Sequence, residues 1–317
     1  MSAKAGTDDK PGYYGLGCVW TDLNSDGLID LYVGNDSTPN YLYLNLGGGA
    51  FKEIGYESGT AVNEDGMEQA AMGVDAGDYD GDGRFDLFVT NFIDDYSTLY
   101  RNEGEMSFAD VSWLSRLAEP GWNFMKWGTG FVDFDNDGLR DLFIANGHIY
   151  PEIENKGFGQ TYAQRNQLFV NTGDGQFGEV RDETLEKILK VGRGAAFGDL
   201  DRDGRIDVVI NNLDDQPTVL LNRSVGGNWI ALKLTGRGSN RDAIGARLTI
   251  VADGKRQSAE VKAGHSYLSQ SDTKLHFGLG AAKKVESIEV RWPGGGVQRA
   301  SEVAVNQVLK LEETAAK

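Results

Sequence analysis

Cysteine is nearly absent from this 317-residue chain, which carries only Cys18. An intrachain disulfide is excluded, and cysteine usage says nothing of redox compartment. Beside Val19 and Trp20, Cys18 reads as a small buried residue. Histidine is scarce at three residues and proline at six. No apolar run approaches the roughly 20 residues of a membrane-spanning helix, and polar Met1–Gly12 lacks the core of a signal peptide. No G-x-S-x-G, H-E-x-x-H or glycine-rich phosphate loop is present, so no catalytic residue is assigned. Basic residues are outnumbered by acids to a net charge of −17, which argues against nucleic acid or an anionic membrane as partner.

The acid that is present is concentrated in one motif. Asp78, Asp80, Asp82 and Asp86 fall at positions 1, 3, 5 and 9 of a loop with Gly83 at position 6. The pattern recurs as Asp22, Asn24, Asp26 and Asp30, as Asp133, Asp135, Asp137 and Asp141, and as Asp199, Asp201, Asp203 and Asp207. Alternating acids on a tight turn aim their oxygens into one space, where they repel unless a hard cation lies between them. Ca²⁺ takes six to eight oxygen ligands in flexible geometry, and one ion is expected per loop. The position-7 carbonyl (Leu28, Arg84, Leu139, Arg205) is expected to face the ion as a further ligand. An EF-hand is excluded, because position 12 is Val33, Val89, Ile144 or Ile210 where that motif needs glutamate. The residues after each loop are β-branched and aromatic, so a buried strand follows.

Other landmarks keep the same register. Gly17, Gly73, Gly128 and Gly194 each lie five residues before a loop, and Asn45, Asn102, Asn171 and Asn222 end a later strand. Phe51, Phe108 and Phe177 open a fourth strand in the first three repeats. A four-stranded meander of this length is the unit of a β-propeller blade, with the glycine-rich first strand innermost. The fold class is therefore all-β, with propeller-type blades over 1–224 and a second all-β domain over 225–317. The fourth repeat stops at Asn222 without an outer strand. The second domain could cover that edge. The opposite edge, before Tyr13, is expected to meet another copy of the chain or further blades, giving a homo-oligomer or filament.

At these residues the chain resembles a known family. The four loops and their strands are similar to FG-GAP/VCBS-type repeats, as in integrin α-subunit propellers. His276-Phe277-Gly278-Leu279-Gly280 and Val290-Arg291-Trp292-Pro293 resemble the ASPIC/UnbV domain. Together they resemble the bacterial relatives of cartilage acidic protein. The resemblance implies a secreted or surface-exposed, calcium-binding propeller, usually of some seven repeats where four stand here.

The third repeat has a longer connection between its second and third strands, spanning 146–165. Its His148, Tyr150, Phe158, Tyr162 and Arg165 could hold a glycan or a peptide. The simpler reading is that Tyr150 and Phe158 cap the blade edge. Trp122, Phe124 and Trp127 read as core, and Asp182–Lys190 has the apolar spacing of a short helix. The expected function is a calcium-binding extracellular or cell-surface scaffold or adhesion protein, with a protein or glycan ligand. The alternative is a propeller lyase or hydrolase acting on polysaccharide at the axial opening. Convergence of His148, Tyr150 and Arg165 on a carboxylate outside the metal loops would favour the enzyme.

Overall fold

The computed structural model describes residues 2–9, 11–237 and 240–314. Met1 of the polar amino-terminal segment and Ser239 of the second domain lie outside them. Fifteen strands form four blades. Blade 1 holds β1 (Gly15–Thr21), β2 (Asp30–Asn35), β3 (Tyr41–Asn45) and β4 (Phe51–Glu53). Blade 2 holds β5 (Val74–Gly77), β6 (Asp86–Val89), β7 (Thr98–Gly104) and β8 (Ser107–Asp110). Blade 3 holds β9 (Lys126–Val132), β10 (Asp141–Asn146), β11 (Gln167–Asn171) and β12 (Phe177–Glu179). Blade 4 has only β13 (Gly192–Gly198), β14 (Asp207–Asn212) and β15 (Thr218–Leu220), as its missing outer motif implied.

Each blade alternates apolar residues to both faces, so its core lies between neighbours rather than within one sheet. Val19, Tyr32 and Leu42 meet Val74, Ala76 and Leu87 between blades 1 and 2. Phe88 and Leu99 meet Leu142 and Phe169 between blades 2 and 3, and Phe143 meets Ala195 and Ile210 between blades 3 and 4. The inner strands approach too closely for a side chain. A Cβ on Gly73 would stand 2.0 Å from the Trp127 carbonyl, and one on Gly128 would stand 2.4 Å from the Ala195 nitrogen. β1 packs on β5, β5 on β9 and β9 on β13, whereas β1 and β13 are not packed together in this way.

The arc therefore has two end faces. On blade 1, Cys18 is exposed and Trp20 is 45% exposed, which corrects the reading of Cys18 as buried. Their counterparts Val74 and Ala76 in blade 2 are covered because blade 1 precedes them. Among the described residues the amino-terminal segment adds no strand. It lies across Tyr41, whose hydroxyl donates to Asp9 at 2.7 Å and whose ring stacks on Tyr13. The outer strand of blade 4 leaves Val219 half exposed. Of the expected core aromatics, Trp127 is buried, Phe124 lies under the Arg165 guanidinium, and Trp122 is 40% exposed. The connector helix forms over Glu183–Lys187, capped by the Asp182 carboxylate on the Thr184 amide.

The remaining strands make two sheets around one apolar core that includes Ile230, Leu248, Phe277 and Val290. One sheet orders β19 (Leu275–Gly280), β16 (Asn228–Thr235) and β22 (Gln307–Glu312). The other orders β18 (Lys255–Glu260), β17 (Arg247–Ala252), β20 (Lys284–Arg291) and β21 (Val297–Ala304). This unit does not cover the outer edge of blade 4, as the sequence suggested it could. It sits on the loop-bearing face of the blades. The correction has a chemical cause, because the acidic loops offer a backbone carbonyl to Arg247, a backbone amide to Glu260 and the Asn136 side chain to His276.

Candidate functional site

The four acidic loops share one internal wiring. The position-1 aspartate accepts the glycine amide at position 6: Gly27 on Asp22, Gly83 on Asp78, Gly138 on Asp133 and Gly204 on Asp199, at 2.9 to 3.1 Å. The position-5 aspartate accepts the position-7 amide, from Leu28, Arg84, Leu139 and Arg205. Position 9 knits strands together. Asp30, Asp86, Asp141 and Asp207 each accept the position-2 amide on one oxygen and the amide of Asn45, Asn102, Asn171 or Asn222 on the other.

Three loops gather carboxylates tightly enough to share a cation. Oxygens of Asp78, Asp80 and Asp86 lie within 4.8 Å of one another, as do those of Asp133, Asp135 and Asp141 and those of Asp199, Asp201 and Asp203. The first loop has Asn24 at position 3, whose amide donates to Asp26 at 2.9 Å. In the fourth loop Arg223 reaches Asp201 and Asp203, and Arg205 reaches Asp203. Burial pushes the carboxyls upward: Asp30 and Asp78 to about 6, Asp133 to about 7, and Asp86 and Asp141 to about 8. Neighbouring acids add to the effect at Asp78. A positive charge among them favours their ionised form, and an all-oxygen donor set of this kind fits a hard divalent ion.

The second domain touches all four loops. Glu260 accepts the Asp22 amide at 3.2 Å, and Arg247 donates to the carbonyls of Asp22 and Gly83 while lying 4.3 Å over Phe85. His276 meets the Asn136 side chain at 3.0 Å, and burial with Arg140 nearby holds it neutral, down to about 3. Gly278 leaves no room for a side chain beside Asp133, nor does Gly204 beside the Trp229 indole, each contact being 2.0 Å from a Cβ.

From the same domain, residues 264–272 run along the free inner edges of the blades. Ser266 pairs with Val74, its hydroxyl accepts the Thr129 amide, and Ser271 accepts the Phe197 amide. This segment therefore lines the inner strands, where the alternative reading placed the opening used by a propeller enzyme. It does bring a histidine between an acid and a hydroxyl. His265 Nε2 stands 2.8 Å from Ser271 Oγ and its Nδ1 3.5 Å from Asp75. Yet Asp75 is engaged by Lys262 and the Phe131 amide, and Ser271 by Phe197, beside a cavity of only about 150 Å³. These groups join the domains.

The long connection in blade 3 builds a different feature. His148 and Tyr150 do converge, with Asp94 and Glu152, on a cleft of about 700 Å³. Arg165 does not join them. It is buried, pairing with Glu179 at 2.8 Å. Tyr150 and Phe158 are 51% and 70% exposed, so they do not cap an edge as the simpler reading held. Sequence reasoning missed Lys126, which is fully buried and donates to the carbonyls of Phe92, Asp95, Gly121 and Phe124 at 2.8 to 3.0 Å. Its flanking sequence, Met125-Lys126-Trp127, was the available signal: a lysine inside an apolar strand needs partners.

Comparison with known proteins follows this architecture. The FG-GAP-like repeat model matches 22–89, 78–144 and 133–210, and the ASPIC and UnbV model matches 236–317. Cartilage acidic protein 1 of Xenopus tropicalis is 25% identical over 94% of this chain, and that of Homo sapiens 24% over 98%. The chain spans about half the length of these relatives, 45% and 46%. The solved V. cholerae biofilm matrix protein Bap1 overlaps 91% of this chain and 59% of its own at 14% identity, with a TM-score of 0.33. The chain belongs to the FG-GAP-like repeat family, carries an ASPIC and UnbV domain, and is homologous to cartilage acidic protein 1.

Proposed function

We propose that this chain is a calcium-stabilised, non-enzymatic scaffold that works outside the cytosol, in a matrix-like or cell-surface setting. One observation carries the reading: three loops each gather three carboxylates within 4.8 Å, on the face where the second domain is seated. Asp78, Asp80, Asp82 and Asp86, their equivalents in the other three loops, and the carbonyls of Leu28, Arg84, Leu139 and Arg205 would hold the ions. Calcium supplies the positive charge that keeps these buried carboxyls ionised. The chain's own part is to hold the loops closed through the position-1 and position-9 aspartates, and to dock the 225–317 domain on the 1–224 blades.

The setting follows from affinity, since loops of this class fill at roughly 10⁻⁴–10⁻³ M calcium, the extracellular range. The naming of the relatives as cartilage acidic proteins supports the same setting. The two unlike end faces support association with another copy of the chain or with further blades, in a ring or filament. Calorimetric titration of calcium into the metal-free chain is the test, with about four sites of that affinity expected. Absence of binding at millimolar calcium would remove the reading. Light scattering checks assembly, and a monodisperse monomer at every concentration would remove that part alone.

A further inference from the structure

We propose that the cleft between blades 2 and 3 is a binding site for a neutral pyranose saccharide. The inference rests on the reading of the chain as an extracellular binding scaffold, and names a ligand class for it. The cleft lies at the β6–β7 and β10–β11 connections, which leave the strands at the ends opposite the acidic loops. The docked second domain covers the loop face, so this side stays open.

Two aromatic rings stand exposed here, Phe158 and Tyr150, the latter tilted against the His148 ring at 5.6 Å between centroids. Phe158 is 70% exposed and Tyr150 51%, both on the blade 3 connection. Ile93 and Ile153, both buried, form an apolar floor. Asp94 and Glu152 bring carboxylates to the lining and Lys156 one ammonium, and Gln160 donates to Asp94 at 3.3 Å. His148 is fixed beneath, its Nδ1 accepting the Tyr150 amide at 3.0 Å, so the ring's neighbour Tyr150 has a set position.

This combination selects among ligand classes. The volume of about 700 Å³ is that of a site for a small molecule or disaccharide. A wholly apolar ligand would strip water from the two carboxylates, of which only Asp94 has the Gln160 donor named above, and return no hydrogen bond. A sulfated or nucleic polyanion meets two carboxylates against the one Lys156 ammonium, on a chain of net charge −17. A pyranose lays its C–H face on an aromatic ring and donates hydroxyls to carboxylates, which matches both halves of the lining.

The test uses the full chain loaded with calcium and a panel of cellobiose, mannobiose, galactobiose and N-acetylchitobiose, followed by ligand-observed NMR and calorimetry. At least one should bind, with Phe158→Ala and Tyr150→Ala each weakening it about tenfold and Asp94→Asn by a similar factor. The exposed rings make the aromatic variants fold normally, and unchanged melting temperatures check this. Absence of binding by every sugar, or binding that survives all three substitutions, overturns the site. Tighter binding of heparin fragments or of an arginine-rich peptide overturns the ligand class. Melting with and without calcium is read on the same samples, so failure of the sugar site is separable from failure of the calcium scaffold.

Discussion

Removal of divalent metal should destabilise this protein far more at neutral pH than in mild acid. The perturbation acts on Asp86, Asp133 and Asp141, buried carboxyls pushed up to about 8, 7 and 8. An aspartate in an unfolded chain titrates near 3.9. The folded values are raised, so the metal-free fold binds more protons than the unfolded chain through this window. Their stabilising contribution is complete below about pH 4 and lost as pH rises through 7 to 8. While one such group is protonated folded and ionised unfolded, stability falls by about 1.4 kcal/mol per pH unit. Asp133 and Asp141 share a loop and titrate as a pair, so the three effects do not simply add. Even a single retained proton gives about 3 kcal/mol between pH 5 and 7, a large part of the 5–15 kcal/mol of an ordinary domain. At 2–4 °C per kcal/mol, the metal-free Tm should drop by roughly 6–12 °C. The assay is a thermal melt by circular dichroism of resin-stripped protein, with and without millimolar calcium, over that pH range. With calcium bound the carboxyls are ionised in the fold, and the slope should flatten or reverse. A metal-free Tm that is level from pH 5 to 7, or a calcium effect equal at both ends, would refute the reasoning.

Asn102→Ala should destabilise the calcium-loaded chain by about 2 kcal/mol, because it strips the Leu23 and Phe85 carbonyls of their donor. Asn45→Ala, whose amide serves only the Ile29 carbonyl of its own loop, should cost less in the same urea titration. Lys126→Met should cost about 3 kcal/mol or more by stripping the Phe92, Asp95 and Phe124 carbonyls of this donor, while Gly121 keeps the Phe124 amide, and equal urea midpoints would contradict it. Arg247→Ala should loosen the second domain, seen as faster proteolysis in the 222–228 linker while the blades stay resistant; an unchanged digestion rate would contradict it.

The blades and loops were legible because their signals are local. Acids at fixed offsets and period-two strands sit within a few residues of one another, and four copies in register remove ambiguity. The seat of the second domain was not legible, since it rests on pairs such as Arg247 with Asp22 that no local pattern records. Cys18 was misread for a related reason: its burial depends on a preceding blade, and its own strand looks like every other inner strand. β21 offers no apolar stripe to find, since its residues are half buried or exposed throughout. The asparagines ending each third strand were visible as landmarks. Their partners, in the preceding blade, were not.

Those asparagines have a consequence for how the array grows and fails. Asn102 donates to Leu23, Asn171 to Tyr79 and Asn222 to Phe134, so every blade after the first reaches back to hold its predecessor. The rule is the same at each step and needs no special terminal part. The array is thus polar, like an actin strand, with a donor end at Asn45 and an acceptor end at the half-exposed Leu200. Blade number becomes a quantity that gene duplication can change by one without redesigning any junction. Unfolding should likewise proceed as fraying from an end, since an interior blade is held by two neighbours and a terminal blade by one.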